Sequence, residues 1–206
     1  MKLYTYFRST AAYRVRIAMN LKGLAYDFQI VDLVAGDQAK PEYRAINPLG
    51  LVPALETDDG VLSQSLAIIE YLDELHPDPP LLPANPWQRA QVRSLAYAIA
   101  CETHPLNNLG VLNFLDELGV EKPGRDRWYA HWIERSFQAM EIQAKEPYLA
   151  GDAITLADVC LVPQVFNARR FEVDISAYPR LLSIDASLCA LDAFKDAHPA
   201  LQPDAR

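Results

Sequence analysis

Tyr6-Phe7-Arg8-Ser9-Thr10-Ala11-Ala12-Tyr13-Arg14-Val15-Arg16-Ile17-Ala18 reads as the end of a strand, a short polar turn and the start of a helix. Leu3, Tyr4, Thr5, Tyr6 and Phe7 have the β-branched, aromatic and apolar character of a buried first strand. Ser9 and Thr10 are good helix N-cap residues. From Tyr13 the apolar positions Val15, Ala18 and Leu21 recur every three residues, and the run stops before Gly23. A helix N-terminus carries free N–H groups and the positive end of a dipole, which stabilise an anion, a thiolate included. Read alone, the Ser9-Thr10 pair is equally a plain cap.

Working outward, the first 75 residues alternate strand and helix. Tyr26 to Leu33 reads as a second strand, and Lys40 to Arg44 as a short helix ending near Asn47-Pro48. Leu51 to Glu56 is an apolar run containing Pro53, which marks an edge, a bulge or a cis bond. Asp58-Asp59-Gly60 is a hairpin turn signal, followed by a short strand at Val61-Leu62. Ser65 can cap the next helix, whose Leu66, Ile69, Leu72 and Leu75 share a face. The order β-α-β-α-β-β-α predicts an α/β sandwich on one mixed sheet.

Residues 76–86 hold five prolines in eleven positions, which makes a stiff linker. Beyond it every pattern is helical. Val92, Leu95, Ala96 and Ile99 form one stripe, Val111, Leu112 and Leu115 a second, and Tyr129, Ile133, Phe137 and Met140 a third. Thr155 with Asp158 fits a capping box, and Ile154 and Val159 sit where a hydrophobic staple would. A last helix is expected from about Ser187 to Ala197. The expected domains are residues 1–80 (α/β) and 81–206 (an all-α bundle).

A chain of 206 residues can bury a sizeable core. Its net charge of −8 and lack of any basic run argue against a nucleic-acid or membrane-surface role. Apolar runs are short and broken by charge, so no membrane span or leader is expected. Cys101, Cys160 and Cys189 form no metal or redox spacing and read as small core residues of a reducing, cytoplasmic protein. The four histidines have no metal spacing either, and no metal is expected.

An α/β domain, a proline-rich linker and an all-α domain is a layout similar to that of soluble glutathione transferases, thioredoxin-like domain first. Leu51-Val52-Pro53-Ala54-Leu55 resembles that family's cis-proline segment, and Gln64-Ser65 its γ-glutamyl-binding pair. Leu149-Ala150-Gly151-Asp152 followed by Thr155-Leu156-Ala157-Asp158 resembles its helical-domain capping box. Tyr4 to Thr10, Arg14 to Ala18, His104 to Leu109 and the Gln202-Pro203-Asp204-Ala205 tail resemble the zeta class, which contains maleylacetoacetate and maleylpyruvate isomerases. Three positions depart from it. Ala11 stands where the class usually has cysteine, which removes the mixed-disulfide chemistry of its dehalogenases. Gly110 stands where bacterial members often have arginine. Leu49 stands where a polar residue is common.

The resemblance implies glutathione as cofactor, a small acidic substrate, a homodimer, and a cis–trans isomerase. The alternative is a transferase acting on small electrophiles such as α-halo acids. A non-enzymatic assembly domain of the same fold would be expected to have lost the thiol site. Ser9 would donate to the glutathione thiolate, with Thr10 the other candidate donor. A thiol of pKa about 8.5 needs ~2.7 kcal/mol of preference for the thiolate to drop two units. One hydroxyl bond to a charged acceptor (~1.5–3 kcal/mol) and a helix N-terminus (~0.3–1 kcal/mol) together cover that. Val52, beside a cis Pro53, would pair with the tripeptide backbone as an added strand does. Gln64 and Ser65 would hold the γ-glutamyl end. His104 and Asn108 could reach glutathione or substrate; each is otherwise a helix-end group. Arg8 and Arg170 would grip substrate carboxylates, and Arg169 is expected to be a surface residue.

Overall fold

The computed structural model describes residues 1–206, which pack as two compact units, residues 1–80 with 190–206 and residues 81–189. Thus the linker boundary falls between Pro80 and Leu81, and the C-terminal segment packs with the first unit, not with the helices that precede it.

The first unit is a four-stranded mixed sheet in the order β2-β1-β3-β4. Here β1 is Lys2–Thr5, β2 Asp27–Ile30, β3 Ala54–Thr57 and β4 Gly60–Ser63. β1 runs parallel to β2, with Leu3 opposite Phe28, and antiparallel to β3, with Tyr4 opposite Ala54. β3 and β4 form the hairpin expected at Asp58-Asp59, closing at Thr57 and Gly60. Both early strands are shorter than their apolar runs: Tyr6 and Phe7 lie past β1, Val31, whose N–H still donates to the Thr5 carbonyl at 2.9 Å, lies past β2, and all three cluster with Tyr43 and Val52.

Side chains alternate across β1. Leu3 and Thr5 are buried on the face that carries α1 (Thr10–Leu21), where Thr5 Oγ1 accepts from Arg16 at 3.1 Å. Tyr4 points the other way, toward Tyr43 of α2 (Pro41–Ile46), ring centroids 5.9 Å apart. α3 (Ser65–Leu75) packs beside α1. Lys22, just past α1, bonds the carbonyls of His76 and Pro79 at 2.6 and 2.9 Å and ties down the start of the linker.

In the second unit α4 (Pro86–Tyr97) runs into a single π-helical segment, Ala98–Thr103, and is followed by α5 (Leu109–Glu117) and α6 (Lys122–Gln143). α7 (Leu156–Arg170) is its buried centre, flanked by α8 (Pro179–Cys189). Asp158, 0 % exposed, anchors the α7 start: it accepts from the N–H of Leu149 and Thr155, both at 2.8 Å, and from the Thr155 hydroxyl at 2.9 Å. Arg169 lies on the surface and reaches inward to the buried Asp185 at 2.6 Å.

Two expectations need correction. The single helix expected from Ser187 to Ala197 is two: α8 ends at Cys189, and α9 (Asp192–Asp196) starts after Leu191 turns to extended backbone. Only Cys160 is a core cysteine; Cys189 is half-buried and Cys101 exposed. Cys101 lies two positions beyond the buried Ile99, about half a turn around the π-helical segment, so it points out. No helix is long and apolar enough to cross a membrane.

Candidate active site

Three chain segments meet at one edge of the sheet. β1 ends there and leads to Ser9; β3 begins there, just after Val52-Pro53; β4 ends there and leads to Gln64-Ser65. Continuing the antiparallel register sets Val52 beside Tyr6, and both belong to one apolar cluster.

Ser9 is the N-cap of α1, and Thr10 is the helix's first residue, buried. Ser9 Oγ accepts the Ala12 N–H at 3.2 Å. Capping uses a lone pair and leaves the hydroxyl proton to donate, so cap and thiol donor are compatible roles for one side chain. The N–H groups of Thr10 and Ala11 remain at the open end of the helix.

α3 starts with a different device. Ser65, the expected cap, is its first helical residue, and Gln64 occupies the cap position without a side-chain bond to the helix. Gln64 has φ 73°, a conformation that costs a non-glycine residue on the order of 1 kcal/mol or more. The α3 N-terminus is thereby left uncapped, the arrangement that receives a carboxylate. Ser65 Oγ accepts from Arg14 Nη1 at 3.4 Å and keeps its own proton. The Val52–Pro53 peptide is cis. Val52 precedes the first laddered residue, Ala54, so its N–H and C=O lie outside the β3 register. An uncapped helix end, a second helix end with a spare hydroxyl and an unladdered backbone fit a γ-glutamyl tripeptide thiol.

Arg8 is exposed beside this edge, its guanidinium 4.7 Å from the Phe7 ring centroid and bonded to the Arg206 carbonyl at 3.2 Å. In the second unit His104 ends the π-helical segment, its N–H donating to Ile99 C=O at 2.8 Å. Asn108 caps α5, its Oδ1 accepting the Gly110 N–H at 2.9 Å. Arg170 is the last residue of α7, with its guanidinium 4.9 Å from the Phe171 ring centroid. Phe171 in turn stacks on Tyr129 at 3.9 Å. Burial pushes the Tyr129 phenol up, and the Arg170 charge partly offsets this.

Arg14 and Arg16 were not among the expected site residues. Both are essentially fully buried in α1. In the sequence they are a pair of charges in an otherwise largely apolar helix, within the Arg14 to Ala18 stretch that resembles the zeta class.

Residues 3–80 match the model of the glutathione S-transferase N-terminal domain, and residues 132–183 that of the C-terminal domain. A maleylacetoacetate isomerase of Pseudomonas aeruginosa is 46 % identical over 208 residues, covering 99 % of this chain and 98 % of that protein. A holo structure of maleylpyruvate isomerase, described as a bacterial zeta-class glutathione S-transferase, overlays with TM-score 0.97 at 44 % identity, covering both chains completely. A maleylacetoacetate isomerase from Methylobacterium extorquens AM1, solved with malonate and glutathione, overlays with TM-score 0.96 at 42 % identity over the full length of both. The chain belongs to the glutathione S-transferase family, in its zeta class. That family is one of glutathione-dependent enzymes, and the α/β thioredoxin-like unit followed by a helical unit is its architecture.

Proposed function

We propose that this chain is a glutathione-dependent cis–trans isomerase of a maleyl-type keto acid, maleylacetoacetate or maleylpyruvate, in aromatic-compound breakdown. The observation that carries the reading is the meeting of Ser9-Thr10, Val52-Pro53 and Gln64-Ser65 at one sheet edge, with two helix N-termini aimed there, in a chain alike over its whole length to such isomerases. Bound glutathione supplies the thiolate that adds to the cis double bond and leaves once the bond has rotated. Ser9 holds that sulfur ionised by donating its hydroxyl proton, beside the positive end of α1. Thr10 completes the turn that presents Ser9. The Val52 backbone pairs with the tripeptide, and Gln64 and Ser65 take its γ-glutamyl end. His104 and Asn108 are further contacts to glutathione. Arg8 and Arg170 clamp the substrate carboxylates, for which a guanidinium fork is suited. On a chain of net charge −8, such local cations are needed to attract a dianion at all.

A homodimer and a cytoplasmic location belong to the same proposal, on the resemblance alone. One feature favours a second reading, a transferase of small α-halo acids: residue 110 is glycine and supplies no cation, at the position where the resemblance leads one to expect arginine. The purified protein is assayed on maleylpyruvate and maleylacetoacetate with and without glutathione, following the trans product. Turnover that vanishes without glutathione supports the isomerase. No turnover, with conjugation of chloroacetate intact, supports the transferase instead.

A further inference from the structure

The two ends of the chain meet at the turn that presents Ser9. The backbone of Phe7 is held on both sides: its N–H donates to Asp204 Oδ2 at 2.9 Å, and its C=O accepts from Arg16 Nη2 at 3.0 Å. Arg16 is 0 % exposed and spends its other donors on the same turn and the tail. Nη1 bonds Thr5 Oγ1 at 3.1 Å and the Tyr6 carbonyl at 3.5 Å, and Nε bonds the Ala197 carbonyl at 3.1 Å. The Tyr6 carbonyl also accepts the Ser9 N–H at 2.9 Å. The tail is itself pinned by buried Gln202, whose Nε2 bonds the carbonyls of Asp196 and His198, each at 2.9 Å. Burial draws the Arg16 guanidinium down to about 10, while Tyr26, Tyr13 and Asp204 support its charge.

A buried arginine is costly unless its donors are satisfied, and here nearly all its acceptors are backbone carbonyls of the Tyr6–Phe7 turn and the tail. We propose that Asp204 and Arg16 are positioning residues for thiol activation: they fix the two peptide groups that flank Phe7, and through them set where the Ser9 hydroxyl meets the sulfur. This rests on Ser9 being the thiol donor. A carboxylate near a thiolate raises the thiol pKa through space, so removing its charge lowers that pKa. Loss of positioning raises it. The two effects therefore have opposite signs.

The test is a titration of glutathione bound to the full-length protein, read by thiolate ultraviolet absorbance, in the parent, Asp204→Ala, Asp204→Asn, Ser9→Ala and the Ser9→Ala/Asp204→Ala double variant. Asp204→Ala is expected to raise the bound-thiol pKa by about one unit, a tenfold drop in the thiolate-to-thiol ratio. Asp204→Asn keeps an oxygen for the Phe7 N–H and is expected to leave the pKa level or lower. In the Ser9→Ala background Asp204→Ala is expected to add nothing. Asp204→Val, which keeps the side-chain volume without an acceptor, reads the same contact if Asp204→Ala fails to fold. An unmoved or lowered pKa in Asp204→Ala, with Ser9→Ala shifted, overturns the positioning role and leaves Ser9 standing. An unmoved Ser9→Ala removes the thiol-donor assignment and this inference together.

Discussion

Ser9 Oγ accepts the Ala12 N–H at 3.2 Å, so the side chain assigned to hold the thiolate also caps the helix behind it. Replacing Ser9 with alanine removes both functions, and the two losses are separable. The cap is worth ~1 kcal/mol of stability. The donated hydroxyl is worth ~1.5–3 kcal/mol toward the thiolate, or about one to two units of thiol pKa. Ser9→Ala is expected to lower the melting temperature by only a few degrees while cutting kcat at neutral pH at least tenfold, an activity that returns as pH rises. A Thr10→Ala variant with the larger pH shift would move the donor role to Thr10.

Asp158 makes a stability prediction independent of the chemistry. Its carboxylate collects two backbone N–H groups and one hydroxyl at the start of the buried helix α7. Desolvation pushes its carboxyl up, and these three donors oppose the shift. Asp158→Ala strands the Leu149 and Thr155 N–H groups in the interior at ~1–3 kcal/mol each. A loss of about 3 kcal/mol or more is expected in denaturant unfolding, against about 1 kcal/mol for Thr155→Ala. Equal losses from the two would mean that the carboxylate anchors nothing beyond the threonine.

His198 gives the tail a pH dependence. Its Nδ1 accepts the Ala200 N–H at 3.2 Å, which requires that nitrogen to be unprotonated. Desolvation, then the Arg16 charge, lowers its pKa; the Tyr13 ring packs edge-on at 6.2 Å. A base whose folded pKa is depressed binds its proton first in the unfolded chain. The stability it contributes is present above the unfolded value of about 6.5 and is lost as pH falls through the folded value. The protection factors of amides in residues 190–206, which divide out the slower intrinsic exchange in acid, are therefore expected to fall as pH drops below about 6.5. In His198→Asn that acid-side fall should flatten; its persistence would place the titration elsewhere.

Much of this site was legible because its parts are local. Ser9-Thr10 ahead of a helical period, Pro53 in a strand run and Gln64-Ser65 after a hairpin are each read from a few adjacent residues, and the structure brings all three to one sheet edge. Asp204 was not legible, because it meets Phe7 across 197 positions and no local pattern encodes that contact. Arg16 was masked for the same reason: a charge on an apolar helix face has meaning only once its carbonyl acceptors are known. The split between α8 and α9 went unseen because Ser187 to Ala197 keeps helix-forming composition throughout. The tail's packing against α1, through Asn20 to the Ala193 carbonyl at 3.0 Å, is what turns the chain there.

Gly110 offers a gain-of-function prediction. It is the second residue of α5, and a β-carbon built there meets only Asn108 Oδ1, at 3.4 Å. A β-carbon is therefore accommodated at this position. Replacing glycine inside a helix gains ~0.5–1 kcal/mol, and a cation in the first turn costs ~0.3–1 kcal/mol against the dipole. Gly110→Arg should leave stability within about 0.5 kcal/mol of the parent on this arithmetic. On the proposed isomerase reading, what changes is the charge offered to the substrate. A second or third guanidinium for a dianion should lower KM for maleylpyruvate several-fold with kcat little altered, the pattern of added uniform binding. The gain should shrink with added salt if the new charge acts over a distance, and persist if it forms a bidentate contact. Unchanged KM at low salt would separate residue 110 from substrate binding in this chain.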